Sequence, residues 1–119
     1  MSSQHFEVEQ DGDLAVVTFT NLELLDHLLT HEMQEELLAY AENQQPKRLI
    51  VNFDCVRRCS TEIINAMLRT RKRIAAGGGD MRLCGMSQNI RDVFRMLNLE
   101  GNVFEIFDTL DEAKANFVV

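Results

Sequence analysis

The sequence lacks several features that mark whole classes of protein: it has no tryptophan, one proline, three cysteines and no long apolar run. A membrane-spanning helix needs about 20 consecutive apolar residues, so such a helix is not expected. The opening stretch MSSQHFEVEQDGD carries neither the basic region nor the apolar region of a secretory signal. We therefore expect a cytoplasmic protein, and the odd number of cysteines agrees with free thiols in a reducing compartment.

Motifs of the common enzyme and cofactor sites are also missing. No G-x-G-x-x-G or G-x-x-x-x-G-K-[ST] loop is present, and the triple glycine at 77–79 precedes a strand instead of opening a helix. No serine lies in a G-x-S-x-G elbow, and no cysteine is followed six residues later by the arginine of a cysteine phosphatase. Cys55 and Cys59 are spaced C-x3-C, but no matching pair of ligands follows. The sequence predicts no catalytic residue, no metal site and no cofactor.

Positive charge is absent from the first 45 residues, which contain ten acidic side chains and no Lys or Arg. Residues 57–73 are the opposite, with six Lys or Arg against Glu62 alone. The net charge of -7 argues against general nucleic-acid binding. The basic segment has two interpretations: it is a solvated helix face, or it is a surface for a partner.

The spacing of apolar residues predicts short strands that alternate with amphipathic helices. A turn at Asp11-Gly12 predicts an antiparallel hairpin from residues 6–10 and 14–20. The continuous run LIVNF at 49–53 predicts a central parallel strand, and further strands are expected at 81–86 and 103–107. The predicted helices cover residues 30–43, 60–76, 88–98 and 109–117, with Asp26, Ser87 and either Asp108 or Thr109 as caps. This order predicts a single α/β domain, 1–119, with a mixed and mostly parallel sheet.

The segment 49–73 is the most informative part of the chain. A buried strand ends there, a short polar loop follows, and Ser60 and Thr61 then stand at the start of a helix. Free backbone N–H groups point outward from a helix start. The two hydroxyls therefore have three interpretations: they cap the helix, they help to bind an anion, or one of them carries a phosphate.

The stretch LIVNFDCVRRCSTEIINAML resembles the strand–loop–helix segment of the STAS domain family, the bacterial anti-sigma factor antagonists, where an Asp-Ser-Ser or Asp-Ser-Thr triplet starts the helix. RLCGMSQNIRDVFRMLNLEGNVFEIFDTLDEAKANF resembles the C-terminal half of that family, so the resemblance covers nearly the whole chain. Aligned without gaps, Ser60 falls on the family's aspartate and Thr61 on its phosphorylated serine. A shift of one residue would make Ser60 the target. Asp26 resembles the acidic residue that the family keeps near this serine.

The resemblance implies a STAS-like fold with about four helices, packed mainly on one face of the sheet, and it implies a switch. Unphosphorylated, such a domain binds an anti-sigma factor that is also a serine/threonine kinase, and so releases a sigma factor. The kinase phosphorylates the hydroxyl at the helix start, the complex dissociates, and a separate phosphatase resets the protein. No direct contact with nucleic acid or membrane is implied. The implied partner surface comprises Asp26, Arg57, Arg58, Ser60, Thr61, Glu62 and Asn65.

Two other functions stay open at this point. The helix start, together with Arg57 and Arg58, would also suit a STAS-type sensor that binds a nucleotide or another small ligand. A third hypothesis is a scaffold in a larger signalling assembly that is never phosphorylated. The sequence does not distinguish these two functions from the switch.

Overall fold

The computed structural model describes residues 5–117, so the predicted domain 1–119 extends beyond the described part at both ends. Seven strands and four helices follow one another within it. The strands are β1 (Phe6–Asp11), β2 (Leu14–Phe19), β3 (Glu23–Leu24), β4 (Arg48–Asn52), β5 (Arg58–Cys59), β6 (Asp80–Cys84) and β7 (Glu105–Phe107). The helices are α1 (His27–Gln44), α2 (Glu62–Ala76), α3 (Gln88–Met96) and α4 (Leu110–Ala115).

A five-stranded sheet in the order β1-β2-β4-β6-β7 forms the centre of the molecule. β1 is antiparallel to β2 across the predicted hairpin, and the other three pairings are parallel. The run at 49–53 was expected to be a central strand, and β4 lies between β2 and β6 with Leu49, Ile50 and Val51 fully buried. The predicted mixed, mostly parallel sheet is confirmed.

The helices cover the two faces of the sheet unequally. Side chains of α1, α2 and α3, including Met33, Met67 and Phe94, pack with alternate strand residues in the larger core. The opposite face carries a smaller cluster in which Ala113 of α4 and Phe117 pack against Val16, Ile50 and Cys84. Three helices therefore lie on one face and one on the other, which agrees with the expectation of helices packed mainly on one face.

The carboxyl ends of the parallel strands bring distant loops to one edge of the sheet. β2, β4 and β6 run parallel, so the segments that follow them emerge on the same side. Two of these segments pair there as the short parallel strands β3 and β5, with Glu23 opposite Arg58 and Leu24 opposite Cys59. Neither short strand was predicted, because two residues are too few to show a period. This edge holds the site described below.

Arg91 connects α3 to the last strand of the sheet. Its Nη2 lies 2.8 Å from Oε2 of Glu100 and donates to the carbonyl of Ile106 at 3.0 Å, and its Nη1 contacts Asp108. The hydrogen bond from Arg91 is the main reason why the pKa of Glu100 lies below its usual value. Only a fifth of the Arg91 side chain is exposed. If the side chain is removed, water can therefore only partly replace the hydrogen bonds that it donates.

We expect Arg91→Met to lower the free energy of unfolding by about 1–2 kcal/mol, because it leaves the Ile106 carbonyl without this donor and Glu100 with only the longer contact to Arg95. Urea denaturation followed by circular dichroism measures this. The matched control is Arg95→Met, since Arg95 is 60% exposed and pairs with Glu100 only at 3.5 Å. The control is expected to change stability by less than about 0.5 kcal/mol. Equal losses in the two variants would contradict a structural role specific to Arg91.

Candidate functional site

Ser60 and Thr61 lie between β5 and the first turn of α2, which begins at Glu62 instead of at the predicted residue 60. The backbone N–H of Ser60 donates to the carbonyl of Leu24 at 3.0 Å, which fixes the segment against β3. The carbonyls of Ser60 and Thr61 accept from Ile63 and Ile64 at 3.2 and 3.0 Å. The helix start is therefore held by main-chain contacts.

Neither hydroxyl caps α2, so the capping interpretation is wrong. An N-cap residue has an extended backbone, as Asp26, Ser87 and Thr109 have, and each of these three accepts a bond from its own helix. Thr61 instead has a helical backbone, with φ -64° and ψ -15°, and makes no capping bond. The Ser60 Oγ is buried and has no hydrogen-bond partner among residues 5–117. Thr61 is exposed.

The segment before α1 approaches the same place. Asp26 caps α1, with its Oδ1 accepting from the N–H of Leu29 at 2.9 Å, as expected. The next residue, His27, has its Nδ1 2.7 Å from Oε2 of Glu62, which directly follows Thr61. The structure thus brings the predicted residues Asp26, Thr61 and Glu62 to neighbouring positions, and His27, which was not predicted, joins the two helix starts.

The backbones of Arg57 and Arg58, which precede the Ser60–Thr61 segment, are held against the residue before β3. Their N–H groups donate to the carbonyl of Leu22 at 2.8 and 3.4 Å. The Arg58 guanidinium lies 3.2 Å from Glu23, whereas no ion pair of Arg57 is found in the described part of the chain. Both side chains are exposed. Arg57 is therefore a cation available to an anionic group of another molecule.

A pocket of about 310 Å³ opens between the α2 start and α3. We call it the α2–α3 pocket. Its walls are mostly apolar, and polar side chains lie among them. The lining residues are Leu25, Arg57, Arg58, Cys59, Ser60, Thr61, Ile63, Ile64, Asn89, Ile90, Val93 and Phe94. Four of the predicted site residues line the pocket, namely Arg57, Arg58, Ser60 and Thr61. Asp26, Glu62 and the exposed Asn65 lie outside it.

Sequence reasoning missed the wall that α3 contributes. Asn89, Ile90, Val93 and Phe94 are about 30 residues beyond Thr61, and their apolar spacing indicates only a buried helix face. Ile90 and Phe94 are indeed buried in the core, while Val93 is half-buried. One signal was available. The parallel order of β4 and β6 places the segments after them at the same edge of the sheet.

Two of the three cysteine thiols are not poised for reaction, namely Cys59 in the pocket wall and the buried Cys84. Burial raises the pKa of Cys59 to about 11 and that of Cys84 to about 12. Both thiols are therefore protonated at neutral pH, whereas a nucleophile or a metal ligand needs the thiolate. Within residues 5–117, no group of three or more His, Cys, Asp or Glu is arranged to hold a metal ion. The same part of the chain has no helix with the length and apolarity to cross a membrane.

The pKa of His27 is raised from its usual value, first by the hydrogen bond to Glu62 and then by the charge of Glu62. We expect the histidine pKa, measured by proton NMR titration, to fall in Glu62→Gln. Because the folded pKa is the higher one, the contact stabilises the protein below the unfolded pKa of histidine. This contribution is lost as the pH rises through the folded pKa. An unchanged His27 pKa in Glu62→Gln would show that the two side chains are not in contact in solution.

A model of the STAS domain family matches residues 5–113, which include every element of the sheet. No curated protein sequence matches the chain at a significant level.

Solved structures extend the comparison. The chain is similar to a STAS domain protein from Planctomyces limnophilus, with a TM-score of 0.83 and 19% identity over 98% of this chain and 100% of that one. An anti-sigma factor antagonist from Mycobacterium paratuberculosis gives a TM-score of 0.79 and 16% identity over 98% and 97% of the two chains. The phosphorylated form of the Bacillus cell fate determinant SpoIIAA gives 0.68 and 23% identity over 93% and 97%. At these identities the structures establish a shared fold.

Proposed function

We propose that this chain, which belongs to the STAS domain family, is an anti-sigma factor antagonist that binds a serine/threonine-kinase anti-sigma factor and so releases a sigma factor. Phosphorylation of Thr61 by that kinase ends the interaction, and a phosphatase restores the binding form. The protein acts as a binding module without catalysis, in the cytoplasm. It makes no direct contact with nucleic acid or membrane.

The observation that carries the proposal is the contrast between the two hydroxyls at the α2 start. Thr61 is exposed at the mouth of the α2–α3 pocket and is not engaged in a capping bond, so a kinase can reach it. The Ser60 Oγ is buried, so its phosphorylation would require the segment to move. This contrast favours Thr61 over Ser60 as the target.

A phosphate on Thr61 is compatible with the fold but not with a partner packed against it. It would carry about -1.5 to -2 charges beside Glu62, at the N-terminal end of α2. The helix dipole favours a negative charge at that end, and Arg57 and Arg58 lie on the same pocket rim. A partner packed on Thr61 would meet the added charge and bulk directly, so the complex would be weakened while the domain stayed folded.

The α2–α3 pocket also favours a second candidate function, the binding of a small ligand. Its volume of about 310 Å³ and its arginine rim would suit a small anionic ligand, which is the sensor hypothesis. Thermal denaturation in the presence of ATP, GTP and GDP separates the two functions. Strong stabilisation by a nucleotide, without any protein complex, would favour the sensor.

The experiment that tests the proposed function is calorimetric titration of the purified protein with each candidate anti-sigma kinase encoded in the source genome. The expected result is a complex of micromolar or better affinity with one of them. The matched variants are Asn65→Asp, on the exposed α2 face one turn after Thr61, and Glu35→Gln, exposed on α1. The first is expected to weaken the complex and the second to leave it unchanged. Failure of every candidate to bind would contradict the proposed function.

A further inference from the structure

The large apolar side chains that remain exposed in the described part of the chain are not scattered. There are five of them, Leu22, Leu25, Leu28, Met96 and Leu97, with exposed fractions between 43% and 79%. Leu22 and Leu25 belong to the segment that leads into α1, Leu28 lies in its first turn, and the other two lie at the end of α3. Grouped apolar exposure of this kind is unusual for a solvated surface and is typical of an interaction site.

All five residues lie on the two segments that flank the α2–α3 pocket. Leu25 lines the pocket, and the carbonyl of Leu22 accepts from Arg57 at the rim. Leu28 is in the first turn of α1, beside the His27–Glu62 contact. On the other side, Met96 and Leu97 follow the pocket residue Val93 by three and four positions, which continues the same face of α3.

The pocket has apolar walls and a charged opening. Its walls include the buried side chains Ile63, Ile64, Ile90 and Phe94, which favour an apolar group. The opening carries the exposed Arg57, and Ser60, whose Oγ is buried and unpartnered within residues 5–117, is among the lining residues. A matching occupant therefore has an apolar side chain and, next to it, a carboxylate that reaches the rim.

We infer that the α2–α3 pocket is the anchor point of the anti-sigma partner: an aliphatic or aromatic side chain of the partner enters it, and an adjacent Asp or Glu pairs with Arg57. This inference rests on the proposed function and specifies its interface. It adds the α3 segment, through Val93, Met96 and Leu97, to a partner surface that otherwise comprises the arginines at β5 and the α1 and α2 starts.

The occupant is a protein and not a free small molecule because the exposed apolar surface continues beyond the pocket on both sides. A ligand confined to about 310 Å³ would leave Leu22, Leu28, Met96 and Leu97 in water. A protein surface would cover the pocket and its flanks together, with the anchor at the centre, where binding energy is usually concentrated. The arrangement also places Thr61 within the covered area, so the switch and the anchor occupy one interface.

The test uses two substitutions that act in different ways on the full-length protein. Val93→Phe adds volume to the wall and fills the pocket, while Leu97→Asp places a charge on the flank, where little packing depends on it. We expect each to weaken binding of the kinase identified by titration at least tenfold. The matched control is Ala39→Asp, an exposed position on α1 that does not line the pocket. It is expected to bind like the wild type.

The outcomes distinguish this inference from the proposed function. Wild-type binding with unchanged affinity in Leu97→Asp and in a folded Val93→Phe would overturn the anchor and leave the antagonist role in place. Circular dichroism and the melting temperature establish that each variant is folded, and Leu97→Asp alone decides the matter if Val93→Phe is not. Wild-type protein that binds none of the candidate kinases would overturn both. If Arg57→Gln binds the kinase more weakly than the wild type and this difference in affinity disappears at high salt, the predicted carboxylate is supported.

Discussion

Thr61→Glu is expected to lower the affinity for the anti-sigma kinase about 100-fold, which corresponds to roughly 2.8 kcal/mol. Thr61 is exposed at the mouth of the α2–α3 pocket, so a partner seated there removes water from its side chain. In the complex, a carboxylate at this position would be buried next to Glu62 while Arg57 pairs with the partner's carboxylate, and leaving an interfacial charge unpaired costs several kcal/mol. Calorimetric titration of the wild type and of the variant with the same kinase measures the difference.

Thr61→Gln separates the effect of charge from that of size. Glutamine has nearly the same volume as glutamate but no charge, so we expect a much smaller loss of affinity. Added sodium chloride should narrow the gap between the two variants, since a charge effect near the surface is screened by salt. Equal binding by wild type and Thr61→Glu would mean that Thr61 lies outside the interface.

Gly85→Ala is expected to lower the free energy of unfolding by about 3 kcal/mol. Gly85 directly follows β6 and has a φ of +73°, a backbone conformation that costs an alanine about 1–2 kcal/mol. A Cβ at this position would also lie 2.5 Å from the Oδ1 of Asn52 and 2.9 Å from the backbone nitrogen of Asp54. These two atoms bond to each other at 3.0 Å and hold the turn after β4. Urea denaturation of the two proteins checks the value.

Gly101→Ala is the matched control, because Gly101 has a φ of +83° but would place its Cβ in open space. Gly101→Ala has the conformational cost without the overlap, so its free energy of unfolding should fall by about 1–2 kcal/mol. The difference between the two variants isolates the contact with Asn52. If the two variants lose equal amounts of unfolding free energy, the close approach of Gly85 to the turn after β4 does not contribute to the cost of Gly85→Ala. Gly85→Ala is also expected to weaken kinase binding, since the disturbed turn leads into Arg57 and Arg58.

The sheet and its main helices could be predicted because their signals are local. The Asp11-Gly12 turn between alternating segments predicts a hairpin, and the run at 49–53 predicts a strand that is covered on both sides. Asp26, Ser87 and Thr109 cap helices as their residue types indicate. Each of these features depends on a few neighbouring residues, so that a single sequence contains the whole signal.

The arrangement of the site could be predicted only in part because it depends on contacts between distant segments. Ser60 and Thr61 have the residue types of caps, but pairing between β3 and β5 fixes the preceding backbone and leaves Thr61 helical. That pairing joins Leu24 to Cys59 across more than 30 residues and involves strands too short to show a period. The α3 wall of the pocket was missed for the same reason, since its residues meet Thr61 only when the sheet is assembled.

The most direct test of the switch is to incubate the protein with its anti-sigma kinase and ATP and to locate the phosphate by intact mass and peptide mapping. We expect one added phosphate on Thr61, which is lost in Thr61→Ala and retained in Ser60→Ala. The phosphorylated protein should no longer form the complex with the kinase. A phosphate found on Ser60 instead, or a stable complex in which no phosphate is ever incorporated, would contradict a switch at Thr61.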